Sequence, residues 1–442
     1  MGETEDDRFG RELRRLREQA GLTQVQLATR LGYSHTYVSK LESGARVPRI
    51  TFAGGADELL DAGGSLIALA TNARARRHKD SDKGFADGSV RVPPPRPSVA
   101  FRAVRPQPAR IFRLPTFGIT CPLHGMDGCT ASTPADGLDG LIGEEVRTAG
   151  TETVHGLAAL LVSFIEADVE GRGGDLLGPV EQTLGAITGL LPKAPEPITV
   201  ALLRLAAQYA DLAAWLRVKR AQQGIGMAWL HRSVEWASAA RDHATACVAL
   251  SSMSALALLE GDGATAVGYA QAAGSVDNGR RWIGVQARLD EMRGHAQLGD
   301  WREVARLSTE AQRGADRLGD LDRIEAPWLF DAEGATFIAS HLAGALRDLT
   351  ERTGDAAIAC RAVTFAESAL TTMPARMPLS RVLLTLRLAD SHACGGAIDA
   401  AVAVARPVLA DAEAAGSTLI DRELDRLRTR LATRGRDLYA DR

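Results

Sequence analysis

Cysteine is scarce in this chain, five in 442 residues. They are odd in number and scattered too widely for the disulfide framework of a small secreted domain, so a reducing, cytoplasmic setting is expected. Also missing is any uninterrupted apolar run approaching the roughly 18 residues that would mark a membrane span. The first residues, MGETEDDRFG, are acidic where a secretory leader is basic and then apolar. A soluble protein with no membrane partner is expected. Catalytic signatures are absent too: there is no G-x-S-x-G elbow, Walker loop, H-E-x-x-H or strand-linked G-x-G-x-x-G, and the remaining histidines stand alone on helical patterns. Neither an enzyme nor a cofactor is expected. Lysine is nearly absent, five against 47 arginines; with the abundant alanine, this composition fits a GC-rich bacterial genome.

The charge that is present is unevenly spread. Residues 1 to 113 hold 20 Lys+Arg against 13 Asp+Glu, and residues 114 to 442 hold 32 against 42. A basic end suggests a polyanion partner, because clustered cations release condensed counterions when they neutralise phosphates. The acidic bulk argues against coating nucleic acid along the whole length.

Four segments follow from composition and period. Residues 8–71 carry short amphipathic helical patterns separated by Gly21, Gly32, Gly44 and Gly63-Gly64. Residues 72–114 hold 11 Lys+Arg, three acids and the run VPPPRP, and read as an extended basic linker. Residues 115–150 are irregular, with a short helix expected over Gly137 to Val146. From Thr151 to the end the pattern is helical, predicting an all-α protein. Alanine-rich helices pair there: 199–218 with 227–241, 243–259 with 263–274, 280–298 with 301–317, and pairs flanking Gly354-Asp355 and Gly395-Gly396.

In LTQVQLATRLGYSHTYVSKLESG, residues 22 to 44, Thr23 occupies an N-cap position, where its hydroxyl can accept from an otherwise unpaired amide. Leu27, Ala28 and Leu31 share a face, Gly32 stops the helix, Ser34 caps the next, and Val38 and Leu41 point inward before Gly44. Two capped helices about a short turn make a helix-turn-helix. The stretch from about Arg17 to Glu42 resembles the phage-repressor-like (Xre-type) DNA-binding domain without a gap, which implies a five-helix fold and double-stranded DNA as partner. Carried over by position, the resemblance gives His35, Thr36, Ser39 and Lys40 the base edges, and Gln24, Tyr37, Arg46 and Arg49 the backbone. Arg17 and Glu42 match the family's internal ion pair. Gly54 and Gly55 depart from the pattern, since they fall inside the expected fourth helix. One such domain reads few base pairs, so a homodimer on a palindromic operator is expected.

The turns LEGDGATAV, QLGDWREVA, RTGDAAIAC and ACGGAIDAAVAVA place glycines at 261, 299, 354 and 395, with steps of 38, 55 and 41. Over roughly residues 199 to 435 this resembles a degenerate tetratricopeptide-like solenoid, best matched in HAQLGDWREVA, where Ala296 and Ala305 would let helices approach closely. The resemblance implies a domain that binds a peptide, small-molecule or protein effector, and the whole reads as a transcriptional regulator. The alternative is an interaction scaffold with a vestigial DNA-binding domain.

Two weaker constellations remain. CPLHGMDGC sets Cys121, His124 and Cys129 in C-x2-H-x4-C spacing, which suits zinc, but a structural site needs four ligands and no further Cys or His precedes His155. A loop with two reduced thiols is the favoured reading; a Rieske-type site is rejected for want of its second half. All six tryptophans lie between 215 and 328. Trp215, Trp229, Trp236 and Trp282 either line a groove or, as favoured, fill space between helices. Cys247, Cys360 and Cys394 are expected in the core.

Overall fold

The computed structural model describes residues 5–31, 35–43, a set of positions between 53 and 69, and residues 109–134, 149–171 and 175–439; the side chains of residues 5–7, 29, 31 and 35–37 lie outside that description. Gly32, Ser34, Gly44, Arg46, Arg49, Gly54, Gly55, Gly63, the linker up to residue 108 and the short helix expected over 137–146 therefore fall outside the described residues. The chain divides into two compact units, Met1–Arg102 and Ala103–Arg442. Among the described residues no helix is long and apolar enough to cross a membrane.

In the first unit, α1 (Glu5–Gln19), α2 (Gln24–Leu31) and α3 (His35–Glu42) pack together. Phe9 and Leu13 fall one turn apart on α1 and are buried with Leu27, Ala28, Val38 and Leu41. Thr23 Oγ1 accepts from the Gln26 amide at 3.1 Å while Gln26 Oε1 accepts from the Thr23 amide at 2.9 Å, a reciprocal capping box that starts α2. Gly10 marks where α1 crosses α3: a Cβ there would meet the Leu41 carbonyl and lie 2.8 Å from that of Glu42. Helical residues recur at Ala53, Ala56, Asp57 and Leu59 and at Ser65, Leu66 and Leu69. Asp57 joins the two groups, accepting from the amides of Gly64 at 2.5 Å and Leu66 at 2.8 Å.

The second unit opens with an antiparallel pair, β1 (Ile111–Leu114) and β2 (Cys129–Ser132), in register Leu114 opposite Cys129. The expected linker thus ends before residue 111, because buried Leu114 and half-buried Phe112 belong to the helical core. The hairpin rests on α4 (Thr151–Val169), followed by α5 (Leu177–Leu190), α6 (Glu196–Val218) and α7 (Gln223–Ala239). Then come α8 (His243–Leu259), α9 (Gly263–Gly274), α10 (Arg281–Leu298) and α11 (Trp301–Ala315). A short α12 (Asp320–Glu325) and the turn Pro327–Leu329 precede α13 (Asp331–Thr353), α14 (Ala356–Thr372), α15 (Pro378–Cys394), α16 (Ile398–Ala405), α17 (Leu409–Ala414) and α18 (Thr418–Ala432).

Successive hairpins stack through their first helices: α6, α8, α10, α13 and α15 follow one another and α18 packs on α15. The longer step between Gly299 and Gly354 is the insertion of α12 and its turn. The array also closes. The Thr418 amide donates to the Lys219 carbonyl at 3.0 Å, Thr418 Oγ1 to that of Val218 at 2.9 Å, and Arg422 to that of Leu259 at 3.0 Å, so the last helix returns to the first hairpins.

Two packing expectations need correction. Ala296 is buried, but Ala305 is exposed, since the inward stripe of α11 runs through Val304, Leu307 and Ala311. Close approach occurs instead at Gly263 and Gly294, where a Cβ on either would lie under 3 Å from the other's carbonyl. Cys360 is likewise exposed, one position off the buried stripe Ala359, Ala362, Ala366 and Ala369 of α14; Cys247 is buried and Cys394 half-buried.

Candidate functional site

The helix-turn-helix is held by one polar clamp. Arg17 donates through Nε to Glu42 Oε1 at 2.5 Å and through its terminal nitrogens to Glu42 Oε2 at 2.9 Å and the Leu22 carbonyl at 2.7 Å. Both side chains are nearly enclosed, 9% and 4% exposed, and Glu42 raises the Arg17 pKa. The clamp ties α1 to the end of α3 and to the turn before α2. Gln24, at the first position of α2, donates its amide to Glu42 Oε2 at 2.8 Å. An amide nitrogen carries two hydrogens, so one donor remains for a phosphate.

On α3, Val38 and Leu41 are buried, Ser39 is half-buried and Lys40 is exposed. The register sets position 36 one turn before Lys40, on the side opposite Val38. His35, Thr36 and Tyr37 lie in the first turn of α3, and their side chains fall outside the described residues, as do Arg46 and Arg49 altogether. Helix ends expose unpaired amides at the N-terminus, where a phosphate or a base edge is met most easily.

The irregular segment brings a different group together. Cys121, His124 and Cys129 meet His155 of α4, and one ligand atom from each lies within 4.8 Å of all the others. The turn is tight: Gly125 donates to the Cys121 carbonyl at 2.8 Å and takes φ +61°, which suits glycine. Arg204 of α6 donates to the Pro122 carbonyl at 3.1 Å and fixes the turn from below. Cys121 Sγ and His124 Nδ1 are 3.3 Å apart, and the rings of His124 and His155 are 5.2 Å apart. Burial pushes the Cys129 thiol up to about 11, with Cys121 adding to it, and burial followed by His124 lowers His155. Sequence spacing did not find His155, since only the packing of β2 against α4 brings it within reach.

The first helices of the hairpins carry a continuous polar strip on the side they share. Trp215 donates to Ser252 at 3.0 Å, Gln286 to Ser251 at 3.0 Å, and Ser251 to Asp290, which His341 approaches at 3.7 Å. Beyond it Arg293 donates to Asp348 at 3.2 Å, Arg347 and Arg387 each to Glu423 at 2.7 Å, and Arg430 to Asp390 at 2.7 Å. Burial alone would raise Asp348, but Arg347, Arg293 and Arg426 hold it down to about 2. A cavity of about 410 Å³ opens onto this strip and is lined by Arg293, Arg347, Arg387, Arg422 and Arg426 against Asp348 and Glu423. Burial lowers the Arg293 pKa, Asp348 only partly opposing, and Arg293 Nε has no hydrogen-bond partner among the described residues. Gly344 gives its guanidinium a seat, for a Cβ there would lie 2.7 Å from it.

The tryptophans divide. Trp282 is fully buried, donates to Glu325 at 2.8 Å and stacks edge-on with Trp328 at 5.7 Å, as the packing expectation has it. Trp229 and Trp236 pack against the core of α4 to α6. Trp215 lines the arginine-rich cavity, and Trp301, 58% exposed, lines a separate apolar groove with Leu342, Leu346 and Phe365.

Residues 8–70 match the family model described as a helix-turn-helix domain. No curated protein and no solved structure matches the chain. The matched span starts inside α1, contains α2 and α3 and runs past Leu69, so residues 8–70 form a helix-turn-helix domain, the framework of DNA-binding regulators.

Proposed function

We propose that this protein is a sequence-specific, double-stranded-DNA-binding transcriptional regulator of the phage-repressor-like (Xre) type. In this reading it acts as a homodimer on a palindromic operator, and its second unit is a tetratricopeptide-like effector domain. The observation that carries the reading is the α2–α3 unit itself: the Arg17–Glu42 clamp fixes α3 from behind, while Lys40 stands exposed with no acid before Glu42 on that helix. Thr36 and Lys40 would read base edges with His35 and Ser39, and Gln24, Tyr37, Arg46 and Arg49 would grip the rails. Losing a base contact costs roughly 1–3 kcal/mol and relaxes sequence preference, whereas losing a phosphate contact weakens every site alike.

The effector site in this reading is the cavity among α6, α8, α10, α13, α15 and α18, where five guanidiniums face two carboxylates. Asp390, Glu351 and Glu260 pair with Arg347, Arg426 and Arg422 from outside the lining, so the donor left over among the described residues is Arg293 Nε, which suits an acceptor group on an anionic ligand. A ligand shifts a regulator only if it binds two arrangements with different affinity. The first test is retention of host genomic fragments by the full-length protein. The wild type enriches a discrete set, and Thr36→Ala with Lys40→Ala abolishes the enrichment; equal recovery of all fragments by both proteins contradicts the reading. The effector clause is tested by adding citrate, inorganic phosphate or a nucleoside triphosphate to the fragment complex. At least one changes affinity in the wild type and fails to do so in Arg387→Ala; insensitivity to all three argues against an anionic effector.

A further inference from the structure

Four potential metal ligands converge where the chain enters the second unit. Two come from the turn Cys121–Gly125, one from the first residue of β2 and one from the second turn of α4. Two thiols and two imidazoles are the ligand set of a closed tetrahedral zinc site. With bonds of about 2.3 Å to sulfur and 2.0–2.1 Å to nitrogen, tetrahedral ligands stand roughly 3.3–3.8 Å apart. The observed set, all within 4.8 Å, needs only a small contraction to reach that spacing. A second observation points to a missing partner: His155 Nε2 is buried and has no hydrogen-bond partner among the described residues. A buried ring nitrogen is costly to leave unpaired, and a metal ion would pair it.

We propose that Cys121, His124, Cys129 and His155 bind one Zn²⁺ ion. The two thiols lose their protons on binding, so two thiolates balance the dication and the loaded site is neutral. The compactness of the set suits a single ion; a two-iron Rieske cluster would hold its cysteine and histidine pairs apart on separate irons. Borderline-soft sulfur and nitrogen ligands favour zinc over magnesium or calcium, which take oxygen.

The ion has a mechanical role. The turn and β2 are tied to α4 through the metal, while Arg204 holds Pro122 and Arg110 pairs with Glu166 at 2.5 Å. The same hairpin carries the turn around Gly118, which takes φ +77° and lies so close to Trp328 that a Cβ would come within 2.9 Å of its ring. Trp328 in turn donates to Gln286 of the polar strip at 3.1 Å. Zinc therefore fastens the entry segment whose tip rests on Trp328, and Trp328 hands the contact on to the polar strip through Gln286.

The test uses untagged full-length protein, loaded with excess Zn²⁺, desalted and analysed for metal and free thiols. The expected result is one zinc per chain, with Co²⁺ giving the thiolate charge-transfer absorption of a tetrahedral site. Cys121→Ser and His155→Ala each weaken zinc binding by more than the roughly 10–100-fold that loss of a supporting hydrogen bond causes. His155→Cys restores it, which separates ligation from folding. Substoichiometric zinc in the loaded wild type overturns the proposal, as does full retention by His155→Ala or a Cys121–Cys129 disulfide in protein prepared under reduction. Metal content is read without DNA, so its failure is distinct from failure of the regulator reading.

Discussion

At the scale of single residues, Glu42 holds the first unit together through three groups: the Arg17 guanidinium, and through it the Leu22 carbonyl, and the Gln24 amide. Removing one partner of an enclosed ion pair leaves the other charge uncompensated, a loss of about 3–5 kcal/mol. Glu42→Ala is expected to unfold the first unit at lower denaturant without moving the transition of the second, read by helix content across a urea series. Asp211 on α6 makes a pH prediction. Burial pushes its carboxyl from 3.8 up to about 6, with Ser252 partly opposing. The native state therefore holds more protons than the unfolded chain between these values, and stability falls as pH rises from about 4 to 6. Asp211→Asn removes that loss, so the variant gains roughly 2–3 kcal/mol at pH 7 and little at pH 4. Unfolding at the two pH values checks it; an equal effect at both contradicts it.

Residues of this kind also show where sequence reading stops. The spacing of Arg17 and Glu42, 25 apart, carries no local signal, and the family resemblance alone links them. His155 is 26 residues beyond Cys129 and becomes a ligand only because β2 lies on α4.

Among elements, the turns explain why the hairpins were legible. Gly261, Gly299 and Gly354 take positive φ, and the aspartates that follow cap the next helix: Asp262 accepts from Thr265 at 3.0 Å, Asp300 from Glu303 at 3.2 Å and Asp355 from Ala357 at 2.8 Å. Glycine for the left-handed residue and aspartate for the cap are local choices, so Gly-Asp predicts both ends of a turn. Elsewhere the same geometry is built without glycine. Ala221 and Arg241 end α6 and α7 at φ +58° and +53°, which is why those ends carry no glycine signal. Arg241→Gly is expected to raise stability by about 0.5–1 kcal/mol by relieving a left-handed residue. Asp300→Ala is expected to lower it by about 1 kcal/mol through loss of the cap. Thermal unfolding of the two variants should move in opposite directions. The strands escaped notice because β1 and β2 are four residues each, too short to establish an alternating period.

For the whole molecule, the return of α18 to α6 and α8 turns a row of hairpins into a closed array around a charged strip. Closure joins residues 200 apart in the chain and leaves no periodic trace, so the sequence reading reached the repeats but not their return. Asp348 and Glu423 are both held below the ordinary carboxylate range by the surrounding guanidiniums. Their contribution is present above about pH 4 and is lost as pH falls toward 2. Acid is thus expected to open the second unit through this strip, and Glu423→Gln to shift acid unfolding to a higher pH, followed by helix content.

Duplex recognition by the first unit is tested most directly by repeated selection of random DNA with the full-length protein at fixed salt. The account predicts an enriched site with two inverted half-sites about 10 base pairs apart. Affinity for it should fall steeply with salt, and the base preference should relax at one position in each half when Lys40 or Thr36 becomes alanine. Recovery of unenriched DNA after successive rounds, with binding independent of salt, would contradict it.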